Sequence, residues 1–113
     1  MAPTIIKKSG ELDKRTIYRM TMGQNNTSVK DLADGDFMNV AAFVIFSDVD
    51  SKGETRELIS VMGKDDVIWT AASSTFRREF EKIWDVFEGE EFGIKKISGT
   101  AKNGRDFVSC TLL

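Results

Sequence analysis

Stacking and phosphate contact are the chemistry this sequence is equipped for. In 113 residues it carries eleven aromatic side chains (eight Phe, two Trp, one Tyr) and sixteen Lys and Arg, with no histidine and one cysteine. Without histidine there is no ready general base and no imidazole ligand, and a single thiol cannot build a zinc site. No glycine-rich phosphate loop is present. Asp48-x-Asp50-x-Lys52-Gly53 begins like a calcium loop, but lysine stands fifth and Ile59 twelfth, where that loop needs glutamate. The expectation is a binding protein rather than an enzyme, with no cofactor, no metal and no small-molecule substrate.

The aromatic candidates come from a register argument. Thr55–Met62 and Val67–Ala71 read as paired strands joined by a four-residue turn, Gly63–Asp66. That register sets Met62 against Val67, Ser60 against Trp69 and Leu58 against Ala71. Ile59, Val61 and Ile68 then face a core, while Arg56, Ser60 and Trp69 share the outer face. An indole beside a serine and an arginine is a stacking platform rather than a core arrangement. Trp69 is therefore the first stacking candidate, with Phe46 and Phe107 after it. Arg56, Lys52, Lys64, Lys102 and Arg105 are the candidates for phosphate contact. The competing reading is plain packing. A strand tryptophan more often faces inward, and a one-residue shift turns Trp69 over. Phe46 equally suits the last core residue of its strand, and lysines at hairpin tips are ordinarily just solvated.

Positioning these residues requires the following elements. Residues 1–14 read as a flexible N-terminal arm, and 15–113 as one domain. Lys14–Met22 alternates like a strand, with Thr16, Tyr18, Met20 and Met22 on one face. Phe37–Phe46 is apolar on both faces, the pattern of a central or bent strand. Ser73 or Ser74 caps a helix running to about Glu88, with Phe76, Phe80, Ile83, Trp84 and Phe87 as its buried stripe and Gly89 ending it. Phe92–Thr100 switches apolar parity between Ile94 and Ile97, which predicts a bulge. Lys102-Asn-Gly-Arg105 suits a type I′ hairpin turn, and Phe107–Leu113 closes the chain with Val108, Cys110 and Leu112 inward. The fold expected is mainly β: an OB-fold five-stranded barrel with one helix between strands 3 and 4 and an extra N-terminal strand. A plain α+β sheet is the competing architecture. OB-folds bind oligonucleotides across strands 2 and 3, flanked by loops that here carry Lys52, Lys102 and Arg105.

Charge moderates the nucleic-acid reading. The net charge is −2, so affinity should be weak to moderate and should depend on a local basic patch. Asp85, Glu88, Glu90 and Glu91 crowd the end of the predicted helix, which keeps open a protein-interaction adaptor as an alternative. An RNA-binding OB module is another. No apolar run approaches the ~18 residues of a membrane span, and no signal sequence is evident, so an intracellular location is expected.

Four segments resemble a known family: Asp31-Leu-Ala-Asp-Gly35, Asn39-Val-Ala-Ala-Phe-Val-Ile-Phe46, Asp65-Asp-Val-Ile-Trp-Thr-Ala-Ala-Ser-Ser-Thr75 and Lys102-Asn-Gly-Arg-Asp-Phe-Val-Ser109. In order and spacing they look like the single-stranded DNA-binding proteins of small protein-primed phages, over roughly residues 15–113. The resemblance implies stacking on single-stranded DNA by the aromatics at Phe46 and Trp69, where family members typically carry tyrosine. It further implies a role in phage DNA replication, coating and protecting displaced strands in the host cytoplasm, with replication proteins as further partners.

Overall fold

The computed structural model describes residues 3–87 and 89–113. Its elements run β1 (Thr4–Lys8), α1 (Lys14–Met22), β2 (Thr27–Ser28), a 3-10 turn (Val29–Asp31), β3 (Phe37–Val49), β4 (Thr55–Gly63), β5 (Ile68–Ala71), α2 (Ser74–Phe87), β6 (Gly93–Thr100) and β7 (Asp106–Leu112). The chain is mainly β. Its strands form one curled, half-barrel mixed sheet in the order β2-β5-β4-β3-β6-β7, with β1 paired to β3. Neither helix is long and apolar enough to cross a membrane.

The long apolar run of β3 is explained by cover on both faces. One face packs into a core with Phe43, Ile45, Ile59, Val61, Trp69, Phe76 and Phe80, closed by α2. The other carries Ala42, Val44, Phe46, Leu58 and Ile68, covered by Met20 of α1 with Leu12 and Ile5. A register irregularity between Val40 and Ala42 moves the outward positions from odd to even numbers along β3. Ser73 caps α2 by accepting from the Phe76 N–H at 3.1 Å, and Phe76 and Phe80 are fully buried. Gly89 has φ +94°, the left-handed conformation of a helix-ending glycine. Cys110 is buried against α2, and burial pushes its thiol up to about 12, so it stays protonated and unreactive.

Three expectations about these elements are overturned. Lys14–Met22 is a helix, not a strand. Asp13 caps it by accepting from the Thr16 N–H at 2.7 Å, a bond that holds the Asp13 carboxyl below its ordinary range. At the other end, Asn26 Nδ2 donates to the Arg19 carbonyl at 2.7 Å, and a Cβ on Gly23 would run into that same carbonyl. Second, the arm expected at 1–14 contains β1, whose Thr4 to Lys8 pair with Ser47 to Val44; Met1 and Ala2 lie outside the described residues. Third, β6 and β7 pair without interruption from Ile94 to Thr100, so no bulge exists there. The parity switch arises because Lys96, paired across the ladder with Cys110, takes an inward position and Ile97 the outward one.

All three β-hairpins share one turn geometry. Residues 50–54, 63–67 and 101–105 each close with the first N–H donating to the fifth carbonyl, and the fourth N–H donating to the first. The fourth residue is left-handed: Gly53 at φ +81°, Asp66 at +67° and Gly104 at +83°. This is a three-residue loop, a type I turn followed by a left-handed residue. The Lys102–Arg105 turn is thus of this kind rather than type I′. Between β4 and β5 the three-residue loop shifts the pairing by one from the expected four-residue turn. Met62 now meets Ile68, Val61 meets Trp69 and Ser60 meets Thr70. Every side chain of β5 changes face.

Asp66 is the one hairpin residue that pays for its φ with a Cβ. Asp66→Gly is expected to raise stability by about 0.5 to 1 kcal/mol, because Asp tolerates the left-handed region less well than Gly. Urea unfolding of the two proteins measures it, and a loss of stability would show that the Asp65-Asp66 turn is held by the side chain instead.

Candidate nucleic-acid interface

The corrected register moves the first stacking candidate indoors. Trp69 is 4% exposed and belongs to the α2-side core, and Phe46 is 1% exposed beneath α1. Neither can stack on a ligand while the fold is intact. Ser60, expected beside Trp69, instead lies 3.1 Å from the Thr70 hydroxyl and donates to the carbonyl of Met20, latching α1 onto the sheet. Helix α1 therefore occupies the outer face of β4 and β5 that the sequence assigned to ligand.

The phosphate candidates divide between bound and free. Arg56 is engaged by its cross-strand partner Asp48, Nε to Oδ1 at 2.8 Å, and Lys64 by Glu91 at 2.6 Å. The Lys64 ammonium holds the Glu91 carboxyl below its usual range. Lys52 sits alone at the tip of the 50–54 turn. Lys102 and Arg105 share the tip of the β6–β7 hairpin, and no ion pair involves either among the described residues. Of the acidic cluster at the end of α2, Asp85 and Glu90 are exposed, and Glu88 lies outside the described residues.

Among the described residues, the outer face of β6 and β7 and the start of β3 leaves several side chains in solvent, with Ser109 buried among them. Its cross-strand rows are Phe37 with Lys95 and Thr111, Ile97 with Ser109, and Gly99 with Phe107. Phe37 is 60% exposed, and Ile97 and Phe107 are half-buried. The Phe107 ring tip lies over Gly99, where a Cβ would come within 2.8 Å of it, so the glycine is what lets the ring lie against the sheet. The rows contain no carboxylate. Lys95 stands beside Phe37 at one end, and Lys102 with Arg105 beyond Phe107 at the other. The structure thus brings together three predicted residues, Phe107, Lys102 and Arg105, and separates them from Trp69, Phe46, Arg56, Lys52 and Lys64.

A buried cation positions Phe37. Lys96, 5% exposed, donates from Nζ to the Leu32 carbonyl at 2.6 Å and lies 3.4 Å from Asp34. Ser98 donates to the same carboxylate at 2.7 Å, and that bond, with Lys96 behind it, holds Asp34 below the ordinary carboxylate range. The backbone of Gly35 and Asp36 then bonds Lys96 at 2.8 and 2.7 Å, setting the first residue of β3 in register with β6. The clamp is complete above the ordinary carboxylate range and persists in the folded chain through that range, because Asp34 is held below it. It is lost as pH falls through the lowered range, where protonation removes the acceptor charge.

Phe37 and Lys95 escaped the sequence reading because Phe37 opens a run that is apolar on both faces. The available signal was Asn39, which lies two residues on, on the same face, and is exposed. No family model, curated protein or solved structure matches this chain. Its chemistry has to be argued from this geometry.

Proposed function

We propose that the chain binds single-stranded DNA without sequence preference, laying the strand across the outer face of β6, β7 and the start of β3. The observation that carries the reading is Phe37, 60% exposed beside Lys95 on a face without carboxylates. An uncovered aromatic ring with a cation at its side suits a base stacked on the ring and a phosphate on the ammonium. Phe107 offers a second ring next to Lys102 and Arg105. Rings and cations meet features that every nucleotide has, so base identity matters little. The succession β3, β4, β5, α2, β6, β7 supports the OB-fold reading. The strands 2 and 3 across which that fold binds oligonucleotides are here β4 and β5, which α1 covers. The placement on β6 and β7 therefore rests on Phe37 and Lys95 and not on the fold. The preference for DNA, the role in coating displaced strands during phage replication, the host-cytoplasm setting and the contact with replication proteins rest on the resemblance.

Titration with oligo(dT) at several salt concentrations tests this. Three cations on the face give a slope of log K against log[salt] of about −2, at roughly −0.7 per phosphate on single strands. Arg105→Ala is expected to flatten it by about 0.7 without changing base preference. A slope near zero, tighter binding to duplex, or a clear preference for folded RNA would each overturn the proposal.

A further inference from the structure

A second feature lies over β4 and β5, on the same outer face of the sheet, and carries its own chemistry. The exposed side of α1 presents Lys14, Arg15, Tyr18, Arg19 and Met22, and the helix has no acidic residue. Tyr18 is 60% exposed at the mouth of a cavity of about 590 Å³ between α1, the 23–27 loop and the β4–β5 hairpin. That is within the usual range for small-ligand sites, and ample for one nucleobase. Its walls include Arg19, Gln24, Asn25 and Asp66. The Asn26 side chain ties the loop to the end of α1 by donating to the Arg19 carbonyl. Across the cavity the Arg19 guanidinium reaches toward the Asp66 carbonyl at 3.5 Å, the long limit of a hydrogen bond.

Asp66 is the informative residue. Three hairpins use the same left-handed position; the two facing open solvent have glycine there, and the one lining the cavity has aspartate. A residue in a sparsely populated conformation, at a cavity that it lines, points to a contact made there. A carboxylate accepts and does not donate. In the vocabulary of base recognition it meets an exocyclic amino group, such as the 4-amino group of cytosine, and repels the carbonyl that thymine has in its place.

We propose that this cavity takes one base of the bound strand, stacked on Tyr18, with Arg19 at its phosphate and Asp66 accepting from its amino group. The inference rests on the reading of the chain as a single-strand binder. It adds a bias at one nucleotide to binding that is otherwise indifferent to sequence.

The test compares oligo(dC) with oligo(dT) of equal length, unstructured strands whose bases differ at the 4-amino and 4-carbonyl groups. The full chain should bind oligo(dC) about 3- to 10-fold tighter. Asp66→Asn, which keeps tolerance of the left-handed backbone while adding a donor, should bring the ratio to one or below; Asp66→Gly should do the same without loss of folding. Tyr18→Ala should weaken both strands together by about tenfold. A parent ratio of one, or a ratio that survives both Asp66 variants, overturns the assignment of Asp66. Unchanged affinity in Tyr18→Ala overturns the cavity as a base site. If those results come from a parent that binds both strands and loses them in Phe37→Ala, only this inference falls. If the parent binds neither strand, the single-strand reading falls with it.

Discussion

Trp69→Ala is expected to lower stability by about 3–5 kcal/mol, the cost of emptying a large buried aromatic site. The indole packs in the α2-side core, opposite Val61 in the sheet and close to the ladder that also holds Ile59 and Ala71. Domains of this length are stable by about 5–15 kcal/mol, so the variant is expected to lose much of its margin and unfold at far lower urea. Trp84 makes the contrast. It is half-buried, with its ring 4.7 Å from Phe43 edge to face, and its removal opens a surface notch rather than a sealed cavity. Trp84→Ala should cost less than Trp69→Ala. A folded, stable Trp69→Ala protein with impaired DNA binding would show that β5 pairs one residue out of the register described above.

Phe37→Ala is expected to do the reverse. The ring is mostly in water, so its loss should change stability by no more than about 0.5 kcal/mol. Binding to oligo(dT) should weaken by about 1–3 kcal/mol, roughly 5- to 150-fold, the usual value of one base on one aromatic ring. Thermal melting and gel-shift titration on the same preparation separate the two effects. Phe37→Tyr keeps the π-face and should bind almost as the parent does. Full affinity in Phe37→Ala would remove the observation on which the β6 and β7 face was assigned.

The elements with strong local signals were readable from residues alone. Helix α2 has a serine cap, an aromatic stripe at helical spacing and a glycine after its end, and it runs Ser74–Phe87 against an expected end near Glu88. The limits of β4 to β7 fall within a residue of those expected between Gly, Asn and Asp turns, whereas β3 runs to Val49, three residues past the expected Phe46. Helix α1 reads as a strand because Thr16, Ile17 and Tyr18 favour strands and Thr16, Tyr18, Met20 and Met22 alternate, although Asp13 and Gly23 bracket a helix. Nine residues are too few for periodicity to outvote propensity, and the decision came from Met20 and the Ser60 latch.

The candidate site was less readable, and one residue accounts for most of that. A hairpin whose left-handed position is glycine announces its loop length, as Gly53 and Gly104 do. Asp66 does not, because its left-handed backbone is a property of the closed turn. The resulting shift by one position carried Trp69 from the outer face to the core.

Composition fixed only which side-chain types were available, and pattern alone determined the mainly β architecture, the second helix and the hairpin with Lys102 and Arg105. These depend on residues near one another in the chain, where spacing maps directly onto geometry. Which aromatics meet solvent was decided by tertiary structure. It depends on a helix from residues 14–22 lying over strands that come up to fifty residues later, and on a buried Lys96 holding the entry to β3. Burial is a property of the surface opposite, and the strand cannot specify that surface by its own alternation.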